Sequence, residues 1–327
     1  LQVYIRFGVR RVVFANQLVG RENIAIVVGA LNGDPGFDFC CLVDSVEGAQ
    51  YLADMAASLG ARRPIDVLVE IGSPLGRTGA RSMEAAMAVA RHARALAPAL
   101  RLRGVETYEY AVKAANESER ERGARSTLLQ FAAAARAMDE AGLFAGLDEV
   151  LLSAGGTNYV DLAAAGLESL RLSRPVRPVL RSGCYFSHDH LEYARALAAI
   201  EARMGERAPQ GGLMPALEVW TAVQSRPEPD RAFATAGKRD LSYDVEMPAP
   251  IAWSRDGGAP MRLEQGHRIT ALNDQHAYLS LPPESPLKVG DLVGLGISHP
   301  CTTFDKWRLL YIVNDAYDVT DAVLTFF

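Results

Sequence analysis

The alternation of apolar and polar positions divides the chain into two parts. Over the first two-thirds, short apolar runs alternate with alanine-rich segments in which apolar residues recur every three or four positions. The runs Arg11–Phe14, Phe39–Asp44, Asp66–Ile71, Leu100–Val105, Glu149–Ala154 and Val176–Leu180 read as strands. Between them Glu47–Leu59, Ser82–Leu96 and Ser126–Ala141 read as helices. The first is capped near Asp44–Ser45, and the second at Ser82, three residues before Ala85. Strands buried on both faces and joined by helical crossovers make a parallel sheet or a β/α barrel. Six such units favour a β/α (TIM-type) barrel, incomplete at its amino-terminal end, with an open sheet as the alternative.

Near Arg207–Gly212 the helical period stops. Short β-type runs follow at Leu217–Val223, His276–Leu281, Leu292–Gly296, Trp307–Val313 and Ala322–Phe327. Turn chemistry separates them, as in Arg255-Asp256-Gly257-Gly258 and Leu281-Pro282-Pro283. The expectation is a barrel domain over 1–206 and a mostly antiparallel β domain over 207–327.

Composition narrows the class without choosing a function. The 327 residues are 49% hydrophobic and 22% charged, with a net charge of −5, enough apolar material for a sizeable core. No Lys/Arg-rich run suggests nucleic acid, and the longest apolar stretch, Ile24–Leu31, is too short for a membrane span. Leu1–Arg11 is not a signal peptide; it lacks Met and reads as the middle of an element, so it looks cut rather than processed. Four cysteines, Cys40, Cys41, Cys184 and Cys301, do not make a disulfide scaffold, and a reducing cytoplasm is expected.

Five segments could carry chemistry, each with a plainer reading beside it. Gly155-Gly156-Thr157 follows a strand, and its amides could cradle a phosphate, or simply turn the chain. Gly183-Cys184-Tyr185 follows the next strand, and two glycine turns at successive strand ends are how barrels hold a phosphate. Arg77, between Gly76 and Gly79, could meet an anionic oxygen or be a solvated loop residue. His299-Pro300-Cys301 offers an imidazole and a thiolate on one face of an extended segment, which suits zinc. His276 could join them as ligand or base. His188-Asp189-His190 looks like a metal motif, but the better reading has Asp189 serving a helix start while the histidines face different ways.

In this order, these segments resemble the D-threonine aldolase and D-serine dehydratase-like family of alanine-racemase-type enzymes. The most specific part is Leu272–Ala277, then Val289-Gly290-Asp291, then Ser298–Trp307. Gly76–Gly79, Gly104–Glu109, Ala154–Thr157 and Gly183–Tyr185 match the barrel motifs, and the resemblance covers essentially the whole chain, closest to the amino acid deaminase branch. It implies a pyridoxal 5'-phosphate lyase for D-3-hydroxy amino acids, and a homodimer. Arg77 would face the cofactor's phenolic oxygen and Tyr108 would line the pocket. Gly155, Gly156, Thr157, Gly183 and Cys184 would hold the phosphate, with Tyr185 beside it. His299 and Cys301 would bind a divalent metal, zinc or else manganese, at the substrate's β-hydroxyl, with His276 the third residue of the catalytic group.

The reaction implied is dehydration to a keto acid and ammonia, with retro-aldol cleavage to glycine and an aldehyde as the alternative. Three departures stand out. Cys184 replaces the serine common in that motif, the segment Ile71–Leu75 lacks an aspartate many relatives carry, and no lysine begins a strand. The four lysines are Lys113, Lys238, Lys288 and Lys306. A missing amino-terminal segment would explain the absent Schiff-base lysine; a non-catalytic cofactor-binding protein would explain it too. Borohydride reduction of this chain with pyridoxal phosphate, followed by peptide mapping, should therefore leave no pyridoxyl label on these lysines. Label together with turnover would show that the lysine has moved.

Overall fold

A computed structural model describes residues 1–111, 114–208 and 212–327, and in it six strands pair in parallel in chain order. The elements are α1 (Gln2–Arg6), β1 (Arg11–Gln17), α2 (Arg21–Gly33), β2 (Asp38–Val43), α3 (Val46–Ser58), β3 (Ile65–Ile71), α4 (Met83–Ala95), β4 (Leu100–Thr107), α5 (Glu117–Glu140), β5 (Val150–Ala154), α6 (Val160–Ser169) and β6 (Val176–Leu180). The strand order never reverses, as a barrel requires and a doubly wound sheet does not allow. The arc is a half-barrel.

Local sequence accounts for the elements. Every residue of β3 is buried, the mark of a strand covered on both faces. Helix α4 buries Ala86, Val89, Ala90 and Ala93, one stripe at three- and four-residue spacing. Ser45 and Ser82 accept the amides of Gly48 and Ala85 at 3.1 Å, capping α3 and α4 as expected. Helix α5 starts earlier than its apolar pattern suggests. Asn116 caps it by accepting the Glu119 amide at 2.9 Å, and an Arg125–Glu121 pair at 2.7 Å supports a first half with little apolar character.

Two compact units divide the chain, Leu1–Ser182 and Gly183–Phe327. The division precedes the change of texture because α7 (Glu192–Met204) groups with the second unit. That unit continues with β7 (Glu218–Glu228), β8 (Arg231–Ala234), β9 (Ala249–Ser254), β10 (Met261–Arg262), β11 (Arg268–Leu272), β12 (Ala277–Ser280), β13 (Leu292–Gly296), α8 (Cys301–Phe304), β14 (Leu309–Val313) and β15 (Val319–Leu324). Seven strands form one sheet in the order β10-β9-β13-β7-β8-β12-β11, with every pairing antiparallel, and β14 and β15 form a separate hairpin. Val219, Val223, Trp253, Leu279, Val293 and Leu295 belong to its own apolar core. Asp291 ties the edge of β13 to β9 through two hydrogen bonds from Arg255, at 2.7 and 2.8 Å.

Among the described residues no helix is long and apolar enough to cross a membrane.

One glycine sets the spacing of the parallel strands. Gly104 in β4 has φ +158°, and a Cβ there would collide with the Leu151 carbonyl of β5. Gly104→Ala should destabilise the protein by about 1–3 kcal/mol, read as a lower urea midpoint. A change below about 0.5 kcal/mol would mean that β5 moves aside freely.

Candidate functional site

In the first unit, polar side chains gather at the carboxy-terminal ends of the strands, where β/α folds place their chemistry. Arg181, just past β6, organises them. Its Nε donates to the Ser153 hydroxyl at 2.9 Å, and its Nη2 donates to the Thr107 carbonyl at 2.7 Å and to the Glu106 carboxylate. Glu106 is 1% exposed, and its second oxygen has no partner. Burial pushes its pKa up to about 8 against the opposing pull of Arg181, with Glu70 and Glu109 adding to the rise. Glu70, at the end of β3, accepts from Gln17 of β1 at 2.5 Å and from the Thr78 hydroxyl at 2.7 Å.

The Thr78 bond belongs to a cinched loop. The Gly79 amide donates to Asp44 at 3.0 Å, and Arg81 donates to the carbonyls of Ser73 at 2.5 Å, Gly76 at 3.1 Å and Arg77. A Cβ on Gly72 would lie 2.9 Å from the Gly79 Cα, so the loop closes only with glycine there. The loop places the Arg77 guanidinium 4.8 Å from the centre of the Tyr108 ring, with Arg181 at 6.0 Å from the same ring. Arg77 and Tyr108 are thus brought together.

The glycine turn after β5 does bind an anion, and the anion is internal. The fully buried carboxylate of Glu109 accepts the Gly155 amide at 3.0 Å and the Gly156 amide at 2.6 Å. Burial raises the Glu109 pKa, while these amides lower it. Gly155 has φ +107°, and a Cβ on Gly156 would lie 2.8 Å from the Tyr108 ring. A phosphate using these two amides would have to displace Glu109. Thr157 is buried next to them, and the hydroxyl of Ser182 donates to the carbonyls of Gly155 and Gly156 at 3.3 Å.

In the second unit, His299 Nδ1 lies 2.6 Å from Asp244 Oδ2, and the Thr302 hydroxyl donates to the other oxygen of Asp244 at 2.9 Å. Burial raises the Asp244 pKa, but these hydrogen bonds outweigh it and hold the carboxyl below its usual range. Cys301 is exposed and opens the short helix α8, so it is not on an extended segment with His299. Strand alternation is therefore not what relates the two residues; Pro300, already helical in φ and ψ, starts the turn.

Cys184 and Tyr185 lie in a single turn, Gly183–Phe186. The Cys184 sulfur is 3.7 Å from that of Cys301 and 3.2 Å from the Tyr193 hydroxyl. A Cβ on Gly183 would meet nothing within 4 Å, so no close approach demands glycine there. His276 is exposed in the turn between β11 and β12. Among the described residues no three His, Cys, Asp or Glu side chains form a metal-ready group, so His276 does not join His299 and Cys301 in one. Asp189 accepts the amides of Leu191 and Tyr193 at 2.8 and 2.9 Å, serving the start of α7, while the Nδ1 atoms of buried His188 and half-buried His190 have no hydrogen-bond partner among the described residues.

Comparison with known proteins agrees with this arrangement. The family model "Alanine racemase, N-terminal domain" matches residues 30–172, and "Putative serine dehydratase domain" matches residues 216–313. A D-threonine aldolase from Arthrobacter sp is 25% identical over 316 residues, covering 95% of this chain and 73% of that protein. The crystal structure of D-threonine aldolase from Filomicrobium marinum superposes with TM-score 0.72 at 25% identity, over 98% of this chain and 77% of that one. These matches fit the D-threonine aldolase and D-serine dehydratase-like family. D-threo-3-hydroxyaspartate dehydratase from Delftia sp. HT23 shares the fold, with TM-score 0.66 at 19% identity over 98% of this chain and 80% of that one.

Members of this family are pyridoxal-phosphate enzymes of D-amino acids, and the residues here fit parts of that cofactor. Arg77 and Tyr108 offer a cation beside an aromatic face, whereas the Gly155 and Gly156 amides are already taken by Glu109. No strand of the parallel sheet carries a lysine. Lys238 lies 5.6 Å from the Tyr243 ring in the second unit, and Lys113 is outside the described residues. In the second unit, a carboxylate on Nδ1 leaves Nε2 of His299 open for another partner, and Cys301 adds a thiol two residues on, donor types that would suit a metal. Sequence reasoning missed Glu70, Glu106, Glu109, Arg181 and Asp244. A usable signal existed for the first two: a glutamate inside an otherwise apolar strand must be partnered there.

Two outcomes follow. Glu109→Gln turns an amide donor toward a backbone N–H, so it should cost about 1–3 kcal/mol and speed hydrogen exchange at Gly155 and Gly156; unchanged exchange would show that the nest is not held by Glu109. For Glu106, the folded protein keeps a proton that the unfolded chain releases between pH 4.5 and about 8. Its contribution to stability is therefore full below 4.5 and is lost as pH rises toward 8. Urea titrations of Glu106→Gln should show a flatter pH dependence over that window; an equal slope would contradict the raised pKa.

Proposed function

We propose that this protein is a pyridoxal-phosphate- and divalent-metal-dependent lyase of D-3-hydroxy amino acids, dehydrating D-serine or D-threonine to a 2-keto acid and ammonia. The observation that carries the proposal is the 2.6 Å contact between Asp244 and His299 Nδ1, two residues before a thiol. Imidazole and thiolate together suit zinc, and a single His–Cys pair leaves coordination positions for water or a substrate hydroxyl, as a catalytic site needs.

Each side chain then has a task. His299 presents Nε2, and Asp244 keeps the proton on Nδ1 and orients the ring. Cys301 supplies sulfur as thiolate. Arg77 would hold an anionic oxygen of the cofactor, with Tyr108 beside it. Thr157 would meet the phosphate, while Gly155 and Gly156 shape the turn that Glu109 holds. When bound, the cofactor supplies an electron sink for the substrate α-carbon, and the metal supplies a Lewis acid at the β-oxygen.

The family model over residues 216–313, which contains Asp244, His299 and Cys301, supports the dehydratase reading. Aldol cleavage is the second reading, favoured by the names of the two relatives at 25% identity. D-threonine separates them. The protein should convert D-threonine to 2-oxobutanoate and ammonia, with bound zinc lost in both His299→Ala and Cys301→Ala. Glycine and acetaldehyde as products would overturn dehydration in favour of aldol cleavage. Equal zinc in wild type and both variants would overturn the metal assignment.

A further inference from the structure

We propose that Cys184 and Cys301 are a site of reversible oxidative modification, closing to a disulfide that takes from the metal the sulfur it needs. The proposal builds on the metal reading of Cys301 and adds to it a residue the metal does not require.

The two sulfurs are 3.7 Å apart although 117 residues separate them in sequence. A disulfide needs about 2.05 Å, so closure asks for roughly 1.7 Å of approach. Both side chains sit on single-turn elements, Gly183–Phe186 and α8, and closure asks for rotation about χ1 with a small backbone shift. Cys301 is exposed and open to an oxidant, and Cys184 is half-buried beside it. The Tyr193 hydroxyl, 3.2 Å from the Cys184 sulfur, holds that thiol in place. The other cysteines do not compete. Cys40 and Cys41 are buried neighbours in β2 of the first unit.

The chemistry balances with a peroxide as oxidant. One thiolate attacks hydrogen peroxide, releasing hydroxide and becoming a sulfenic acid. The second thiolate attacks that sulfur and displaces a second hydroxide. Two thiols lose two protons and two electrons, and the peroxide becomes two waters. A metal bound through Cys301 engages the same sulfur lone pair, so metal and disulfide exclude each other. A dithiol reductant restores the site.

The experiment treats the 327-residue protein with hydrogen peroxide, metal-free and zinc-loaded, and reads two quantities besides activity. Non-reducing peptide mapping should find a Cys184–Cys301 cross-linked peptide in the metal-free sample, with loss of both thiols that react in the native protein. Zinc retained in equilibrium dialysis should fall on oxidation and return with dithiothreitol, and zinc added beforehand should suppress the cross-link. Cys184→Ser should give no intramolecular cross-link. Peroxide that leaves the two cysteines unlinked, or that joins Cys301 of one chain to Cys301 of another, would overturn the proposal. Failure of the reduced protein to bind zinc is a separate result; it removes the metal assignment, while the metal-free cross-link still decides this one.

Discussion

The Asp244 carboxylate decides which nitrogen of the His299 imidazole carries its proton and which is left open. That carboxylate accepts a hydrogen bond from Nδ1 of His299 at 2.6 Å, which favours the tautomer protonated at Nδ1 and orients the ring. The contact depends on how two distant segments are laced. Thr303 accepts the Ser242 amide at 2.9 Å, and Ser298 donates to the Glu246 carbonyl at 2.9 Å. Trp307 donates to the Asp240 carbonyl at 2.6 Å. Residues 240–246 and 298–307 are thereby held in register without a covalent link, and the exposed Cys301 inherits its place from that register.

The first unit solves a different problem. A parallel sheet covered on both faces has little room for charge, yet Glu70, Glu106 and Glu109 are all buried at one end of it. Each is held by donors from elsewhere in the unit: Gln17 and Thr78, Arg181, and the Gly155–Gly156 amides. Removing one donor would strand a charge in a medium that solvates it poorly, so these partners are constrained together. Glu106 is the incomplete member, with one oxygen unpartnered among the described residues, and burial raises its proton affinity, with Glu70 and Glu109 adding to the rise.

Short apolar runs alternating with helical segments made the six parallel strands legible, most clearly β3, which is buried at every position. It was weaker where charge dilutes the pattern. Helix α5 begins at Glu117, but its first turns carry Glu and Arg, so the apolar stripe emerges only near Ser126. In the second unit β13 was readable to its ends, whereas β8, β9 and β11 were not, because short antiparallel strands resemble loops in a single sequence. The His299 and Cys301 pair was legible as residue types, but its stated geometry was not; α8 replaces the extended segment. Asp244 lies 55 residues from His299, and nothing local marks it. The glycine turn at 155–156 was readable as an anion site, but its occupant, Glu109, was not, since a partner 46 residues away is set by the fold.

The most direct measurement is anomalous diffraction at the zinc edge from crystals of the reduced, zinc-loaded protein. One zinc peak is predicted, bonded to Nε2 of His299 and to the sulfur of Cys301, with Asp244 still on Nδ1. A peak bonded to Nδ1, with the Asp244 contact broken, or a zinc bound away from both residues, would contradict the account.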